Sequence, residues 1–259
     1  MSAIPALPNE KSSNLRLALL LGFASLLATL ALFPYLHALM QEKLDALPLP
    51  LWLIAGMQAA QNGVLCWLLA WLGLFLGRQH GLGAPWLSAW VSRRPLPASV
   101  RSHWWLAVAL GLLVGLAVTG LDQLWPHPAT DTAPIAAWRG LLASFYGGTA
   151  EEIQLRLFVV SLLVWLFARI GRRQAATWMF VSAIVLAALL FGAGHLPAAF
   201  AAGLAGTPLL IARIVLLNAV VGLVTGGIFW KWGLEHAMLT HFCCDLVLHV
   251  LMPLLGMPG

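Results

Sequence analysis

The sequence predicts an all-α fold: a polytopic integral membrane helical bundle of about seven transmembrane helices, or eight if the fourth apolar run divides. Three observations predict it. Hydrophobic residues make up 61% of the chain and charged residues only 9%. A soluble domain carries roughly 25% charged residues, so this chain lacks the polar surface to cover itself in water. Apolar runs near the ~20 residues needed to cross hydrocarbon recur along the whole length. Trp86, Trp90, Trp104, Trp105 and Trp125 flank such runs, where indole rings favour the headgroup level.

Residues 1–14 are polar and contain proline, and they read as a disordered cytoplasmic tail. The first apolar run, 16–40, is too long for a signal-peptide core and has no small-residue cleavage site behind it, so it is expected to stay as an anchor. Runs at 50–77 and 104–124 complete an N-terminal group of transmembrane helices over 15–135. Residues 136–256 form the second half, with runs at 136–170, 178–204, 207–230 and 233–256. The first of these is too long for one simple span, and Gly147-Gly148 in its middle marks a place where it can break. No internal repeat stands out, and the length suits one bundle without a separate soluble domain.

Loop charges give the orientation. Lys11 and Arg16 precede the first run; Arg78, Arg93, Arg94 and Arg101 follow the second; Arg169, Arg172 and Arg173 follow the fourth. The 122–135 loop carries Asp122 and Asp131 with no Lys or Arg. By the positive-inside rule the N-terminus is cytoplasmic and, with seven spans, the C-terminus is outside. Lys231 fits that scheme, whereas Arg213, near the outer end of the sixth run, does not. The same loops account for the net charge of +5, which is therefore a topology signal and not a nucleic-acid footprint. Cys66, Cys243 and Cys244 have no metal-ligand spacing and read as small apolar fillers.

Against this apolar background several ionisable residues stand where the chain reads as lipid-embedded helix. Each costs on the order of 2.5–3.5 kcal/mol at mid-bilayer even on a lenient insertion scale, so a polar site inside the bundle is the default reading. Glu151-Glu152-Ile153-Gln154-Leu155-Arg156 comes first. Arg156 lies at i+4 from Glu152, where carboxylate and guanidinium can pair, leaving Glu151 about 100° away around a helix and competent as a general base for water. The alternative is a charge cluster that merely caps a helix after the glycines. Phe191-Gly192-Ala193-Gly194-His195 follows, its small residues allowing close helix approach. His241, Asp245 and His249 come last, at successive i+4 steps, forming one polar stripe. A single such residue can be interhelical glue; three on one face favour a site.

Together the groups can do one job. Glu151 would deprotonate a water, His195 would position it or donate a proton, and His241 with Asp245 would orient or stabilise a tetrahedral centre. A zinc reading uses the same atoms, but the sequence lacks His-Glu-x-x-His, and the Glu152–Arg156 pairing puts positive charge beside any cation. The metal-free version, with no cofactor, is preferred. His195 raises a question of depth. Counted from Ala175 it lies some 30 Å along its helix, whereas His241 lies about 12 Å into its own. The fifth helix must therefore start later and continue past Pro197 towards Gly203.

The order Glu-Glu-x-x-x-Arg, Phe-x-x-x-His, His-x-x-x-Asn/Asp on successive membrane segments resembles the CPBP family. That family is also called Abi, and it includes the type II CAAX prenyl endopeptidases and bacteriocin-processing or self-immunity proteins. The likeness covers about residues 136–256, and the context Gly233-Leu234-Glu235-His236-Ala237-Met238-Leu239-Thr240-His241 resembles the end of bacterial members. The resemblance implies an intramembrane glutamate-dependent endopeptidase of the bacterial inner membrane. Its partners would be the lipid bilayer and a membrane-anchored or lipid-modified protein or peptide substrate. It implies Glu151 as the residue activating water, Glu152 and Arg156 as its supporting pair, His195 with Phe191 as structural companion, and His241 as the third-motif histidine. Asp245 stands where the eukaryotic prenyl proteases have Asn. An ionised Asp cannot donate to an oxyanion, so Asp245 is either protonated or orients His241. His249 is a supporting residue. A non-catalytic membrane-binding or immunity scaffold and a proton-coupled transporter are the other classes; a scaffold does not require the full set of motif residues, and the lack of a repeat argues against the transporter.

Overall fold

The computed structural model describes residues 10–98, 100–125, 135–171, 174–204 and 206–257. Seven of its helices are long and apolar enough to cross a membrane. In chain order the helices are α1 (Glu10–Leu39), α2 (Gln41–Asp45), α3 (Leu51–Gly77), α4 (Pro85–Ser92) and α5 (Trp104–Asp122). They continue as α6 (Ala137–Ile170), α7 (Thr177–Gly194), α8 (Leu196–Ala201), α9 (Pro208–Trp232) and α10 (Leu234–Leu254). The protein is a multi-pass membrane protein, with α1, α3, α5, α6, α7, α9 and α10 as the spanning set. Leucine, valine and phenylalanine stand exposed along all of these helices, the surface that lipid rather than water covers.

The sixth helix does not divide. It runs unbroken from Ala137 to Ile170, but at Gly147-Gly148 it widens instead of breaking. Gly147–Glu151 and Ile153–Val160 have π-helical hydrogen bonding. Such i→i+5 segments are rare and are frequently found at functional sites. A third π segment occupies Val247–Leu251 in α10. Of the expected tail, residues 1–9 lie outside the described residues, while 10–14 already belong to α1. Asp131 and the other residues of 126–134 also lie outside the described residues.

Helix α6 runs through the middle of the bundle. It packs on α1 and α3 along one side and on α7 and α10 along the other, while α7 pairs with α9 and α5 with α10. One buried cluster joins Leu17, Leu74, Ile153, Leu157, Phe180 and Phe229 from both sides of α6. A smaller one joins Val114, Phe191, Val221 and Cys244 beside the ionisable residues. The turn between α9 and α10 is the single residue Gly233, at φ +94°, with the Pro85 ring against it. That left-handed conformation is readily open only to glycine.

Arg213, the cation that disagreed with the loop-charge scheme, is held by Asp122 through Nε–Oδ1 at 2.6 Å and Nη2–Oδ2 at 2.8 Å. A bidentate carboxylate neutralises it where a free cation would be out of place. The tryptophans split into two groups. Trp90 and Trp105 are exposed, as a headgroup-level residue should be. Trp86 and Trp104 turn inward, their rings 5.0 Å apart, with Trp104 stacked on the buried imidazole of His236 at 4.1 Å.

Candidate active site

The first two motifs sit on α6 and α7 and the third on α10. Glu152 and Arg156 are fully buried and form an i,i+4 contact, Nη1 to Oε1, of 3.3 Å. Among the described residues, no group meets the terminal nitrogens of Arg156 or the second oxygen of Glu152 in hydrogen-bonding geometry. The pair is therefore a charge contact and not an aligned fork. The Arg156 guanidinium is completed by the face of Phe191, 4.7 Å from the ring centroid, a cation–π contact that gains strength where water is excluded.

His241 is the hub of the cluster. Its Nδ1–H donates to Glu152 Oε1 at 2.7 Å, which fixes the ring orientation, since a carboxylate can only accept. Its Nε2 faces Glu151 Oε2 at 3.8 Å and Asp245 Oδ1 at 3.6 Å. Both distances exceed direct hydrogen-bond length. The two glutamates thus straddle one imidazole, Glu152 at one nitrogen and Glu151 at the other. The expected divergence of about 100° between neighbours on a helix leaves them at opposite nitrogens of the one ring. Glu151 ends the first π-helical segment and Glu152 follows it directly.

Close approach of α6 to α10 depends on Gly147. A Cβ at that position would collide with Asp245 Oδ2 and lie 3.2 Å from His241 Nε2. Two turns earlier, a Cβ at Gly140 would run into the backbone carbonyl of His249. The glycines let the helices touch at the level of the carboxylates.

His195 joins through Phe191. Helix α7 starts at Thr177, only two residues after Ala175; His195 caps its end, and the chain continues through Pro197 as α8. The His195 Nδ1–H donates to the Phe191 carbonyl at 2.9 Å, leaving Nε2 as the ring nitrogen with a free lone pair. The Phe191 ring stands perpendicular to His195 at 4.8 Å and to His241 at 5.5 Å, centroid to centroid. His249 does not touch the cluster by any direct polar contact among the described residues. The π turn at Val247–Leu251 interrupts the i+4 stripe, and the His249 ring packs on Tyr35 of α1 at 5.6 Å.

Several polar residues near the site were not singled out in the sequence. Tyr35 is one. Tyr146 and Gln154 flank Glu151 on α6, and Gln154 Nε2 donates to Asn62 of α3 at 3.1 Å. Glu235, buried at the start of α10, accepts the Leu87 N–H of α4 at 2.7 Å. The signal was present in part, because Asn62 is one of three amides, with Gln58 and Gln61, in an otherwise apolar run and Gln154 lies inside the first motif.

No group of three His, Cys, Asp or Glu side chains among the described residues converges as a metal site. His241 Nδ1 is committed to Glu152, and the Arg156 guanidinium stands beside that carboxylate. What the arrangement can do is move protons: a partly accessible carboxylate, Glu151, faces an imidazole that two further carboxylates orient.

Residues 133–247 match the family described as Rce1-like, type II CAAX prenyl endopeptidase Rce1-like. The matched segment contains every residue of the cluster just described. No curated protein and no solved structure matches the chain.

Proposed function

We propose, from the match of residues 133–247 to the Rce1-like, type II CAAX prenyl endopeptidase family, that this chain is a membrane-embedded endopeptidase with Glu151 as its general base. The substrate is a membrane-anchored or lipid-modified protein or peptide, reached within the bilayer of a bacterial inner membrane, with the N-terminus on the cytoplasmic side. Glu151 takes a proton from water as the water oxygen bonds to the scissile carbonyl carbon. The proton then passes to the amide nitrogen as the C–N bond breaks. Glu152, with Arg156 beside it, holds His241 by its Nδ1. When His241 carries both protons, its Nε2–H is the donor aimed at the developing oxyanion. Asp245, on the Nε2 side of the same ring, orients His241 and is not itself the oxyanion donor. His195, with Nε2 free, positions the water or the leaving group.

The observation that supports this reading best is the pair of glutamates straddling His241, because it gives adjacent carboxylates two different roles. Glu152 is fully buried and fixed, while the Glu151 side chain retains 20% exposure, and only the accessible one can meet water. The reading uses no metal.

Purified protein is incubated with C-terminal tails of membrane proteins, comparing wild type with Glu151→Gln, with and without chelator. The expected result is cleavage that survives chelation and falls by about 10²–10⁴-fold in Glu151→Gln. Cleavage lost to chelation and restored by zinc would transfer the same residues to a metal mechanism. Cleavage indifferent to Glu151→Gln removes the assignment of the base.

A further inference from the structure

The N-terminal half looks like plain lipid-facing scaffold, yet it sends a line of hydrogen bonds to the catalytic segment. Thr29 Oγ1 donates to the Ser25 carbonyl at 2.7 Å. Asn62 Nδ2 donates to Thr29 Oγ1 at 2.8 Å. Gln154 Nε2 donates to Asn62 Oδ1 at 3.1 Å. The line runs in one direction, from α6 through α3 to α1. Every amide and hydroxyl in it is used in the sense its chemistry allows. Cys66 stands alongside, its sulfur 3.5 Å from Gln154 Nε2 and 4.0 Å from the Ala150 carbonyl.

Polar side chains crossing between membrane helices are commonly no more than adhesive. The point of attachment argues for more here. Gln154 is three residues past Glu151 and Ala150 is the residue before it, so the contacts bracket the base. Both lie in or beside the π-helical stretch Gly147–Val160, where the regular i→i+4 ladder that would fix rotation about the helix axis is missing. Glu152 and Arg156 clamp one side of this stretch to His241 and Phe191. Nothing in that clamp sets the direction of Glu151. Gln154 clamps the other side to α3. Tyr146, one turn before the glutamates, lies against Gln154 and within electrostatic reach of Glu151.

We infer that Thr29, Asn62 and Gln154 are positioning residues that set the rotation of the π-helical segment and thereby aim Glu151 at the reacting water. The inference rests on the reading of Glu151 as the base, and it extends the working parts of the enzyme into α1 and α3, outside residues 133–247. None of the three touches substrate in this scheme; they act through the backbone of α6.

The test uses the full chain in the cleavage assay above, with Thr29→Val, Asn62→Leu, Gln154→Leu, the Asn62→Leu/Gln154→Leu double variant and Thr29→Ser. Misplacement of a catalytic group by about 1 Å costs on the order of a hundredfold. The first three variants are therefore expected to lose about tenfold to a hundredfold in kcat with little change in KM or thermal midpoint. The double variant should be no worse than its weaker parent, because one broken link frees the whole line. Thr29→Ser keeps the hydroxyl and should return to wild-type kcat. Unchanged kcat in the three variants overturns the inference, as do losses that scale with thermal midpoint and add in the double variant, the behaviour of mere adhesive. The two readings fail separately: a fully active Glu151→Gln removes the base, whereas an inactive Glu151→Gln beside fully active network variants removes only the network.

Discussion

Replacing Gly147 by alanine should silence the site while leaving the fold intact. The added Cβ falls on Asp245 Oδ2 and comes within 3.3 Å of Asp245 Cγ and 3.2 Å of His241 Nε2. All three atoms belong to side chains, so the carboxylate can swing aside without moving either helix. The helix-propensity gain of Ala over Gly, ~0.8–1 kcal/mol, roughly cancels the rotamer strain, of order 0.5–1.5 kcal/mol. Net stability is thus expected to stay near wild type. Activity has no such escape, since Asp245 leaves the Nε2 side of His241 and a displacement of about 1 Å is worth roughly 10²-fold. Gly140→Ala is the control, because there the Cβ meets the carbonyl oxygen and carbon of His249, which are backbone. Helix α10 must then shift, and overpacking of ~3 kcal/mol less the same propensity gain leaves a loss of about 2 kcal/mol. Denaturant unfolding in detergent and kcat on one substrate read both variants. Equal destabilisation by the two variants, or full activity in Gly147→Ala, would refute the geometry.

Three further outcomes follow from contacts already described. Arg156→Met removes the guanidinium beside the buried Glu152 and should cost about 3–5 kcal/mol in unfolding measurements, as one-sided breakage of a buried pair does; Arg156→Lys should recover only part of this, lacking the planar face that lies on Phe191. Arg213→Asp and Asp122→Arg should each destabilise by about 1.5–3 kcal/mol, and the double exchange should restore most of the loss, which a double-variant cycle in detergent measures. Glu235→Leu takes away the acceptor of the Leu87 N–H, so hydrogen exchange at Leu87 should accelerate while amides in the middle of α6 stay protected.

The sequence carried the spans well because hydropathy responds to the bilayer, which is nearly uniform. The run expected at 136–170 is the helix Ala137–Ile170, and that expected at 207–230 is Pro208–Trp232. It carried Glu152–Arg156 and His241–Asp245 because pairs at i,i+4 need only a local helix. Two kinds of information were out of reach. Gly147-Gly148 indicated a weak point but not whether the chain would break or widen there. Nor did the sequence show that a π turn at Val247–Leu251 would interrupt the regular spacing of the stripe before His249. Long-range partners were the other loss. Arg213 looked misplaced until Asp122, on a different helix, was brought beside it, and Asn62 had no spacing relation to Gln154 that any local pattern could register.

Phe191 shows why an apolar residue belongs at the centre of so charged a cluster. Its ring faces the Arg156 guanidinium and stands perpendicular to both His195 and His241, while its carbonyl fixes the tautomer of His195. Three groups able to carry positive charge thus meet one quadrupole, which attracts cations without donating or accepting a proton. A polar side chain in its place would offer Arg156 and His241 another hydrogen-bond partner and give protons a path between the imidazoles. An aliphatic one would exclude water equally well but leave Arg156 with Glu152 alone. The aromatic ring meets the guanidinium with its face and lies against both histidines, on a different side of His241 from the Glu151 and Asp245 carboxylates that its Nε2 faces. Burial at 4% exposure completes the argument, since the cation–π contribution rises as the ring and its partner are desolvated.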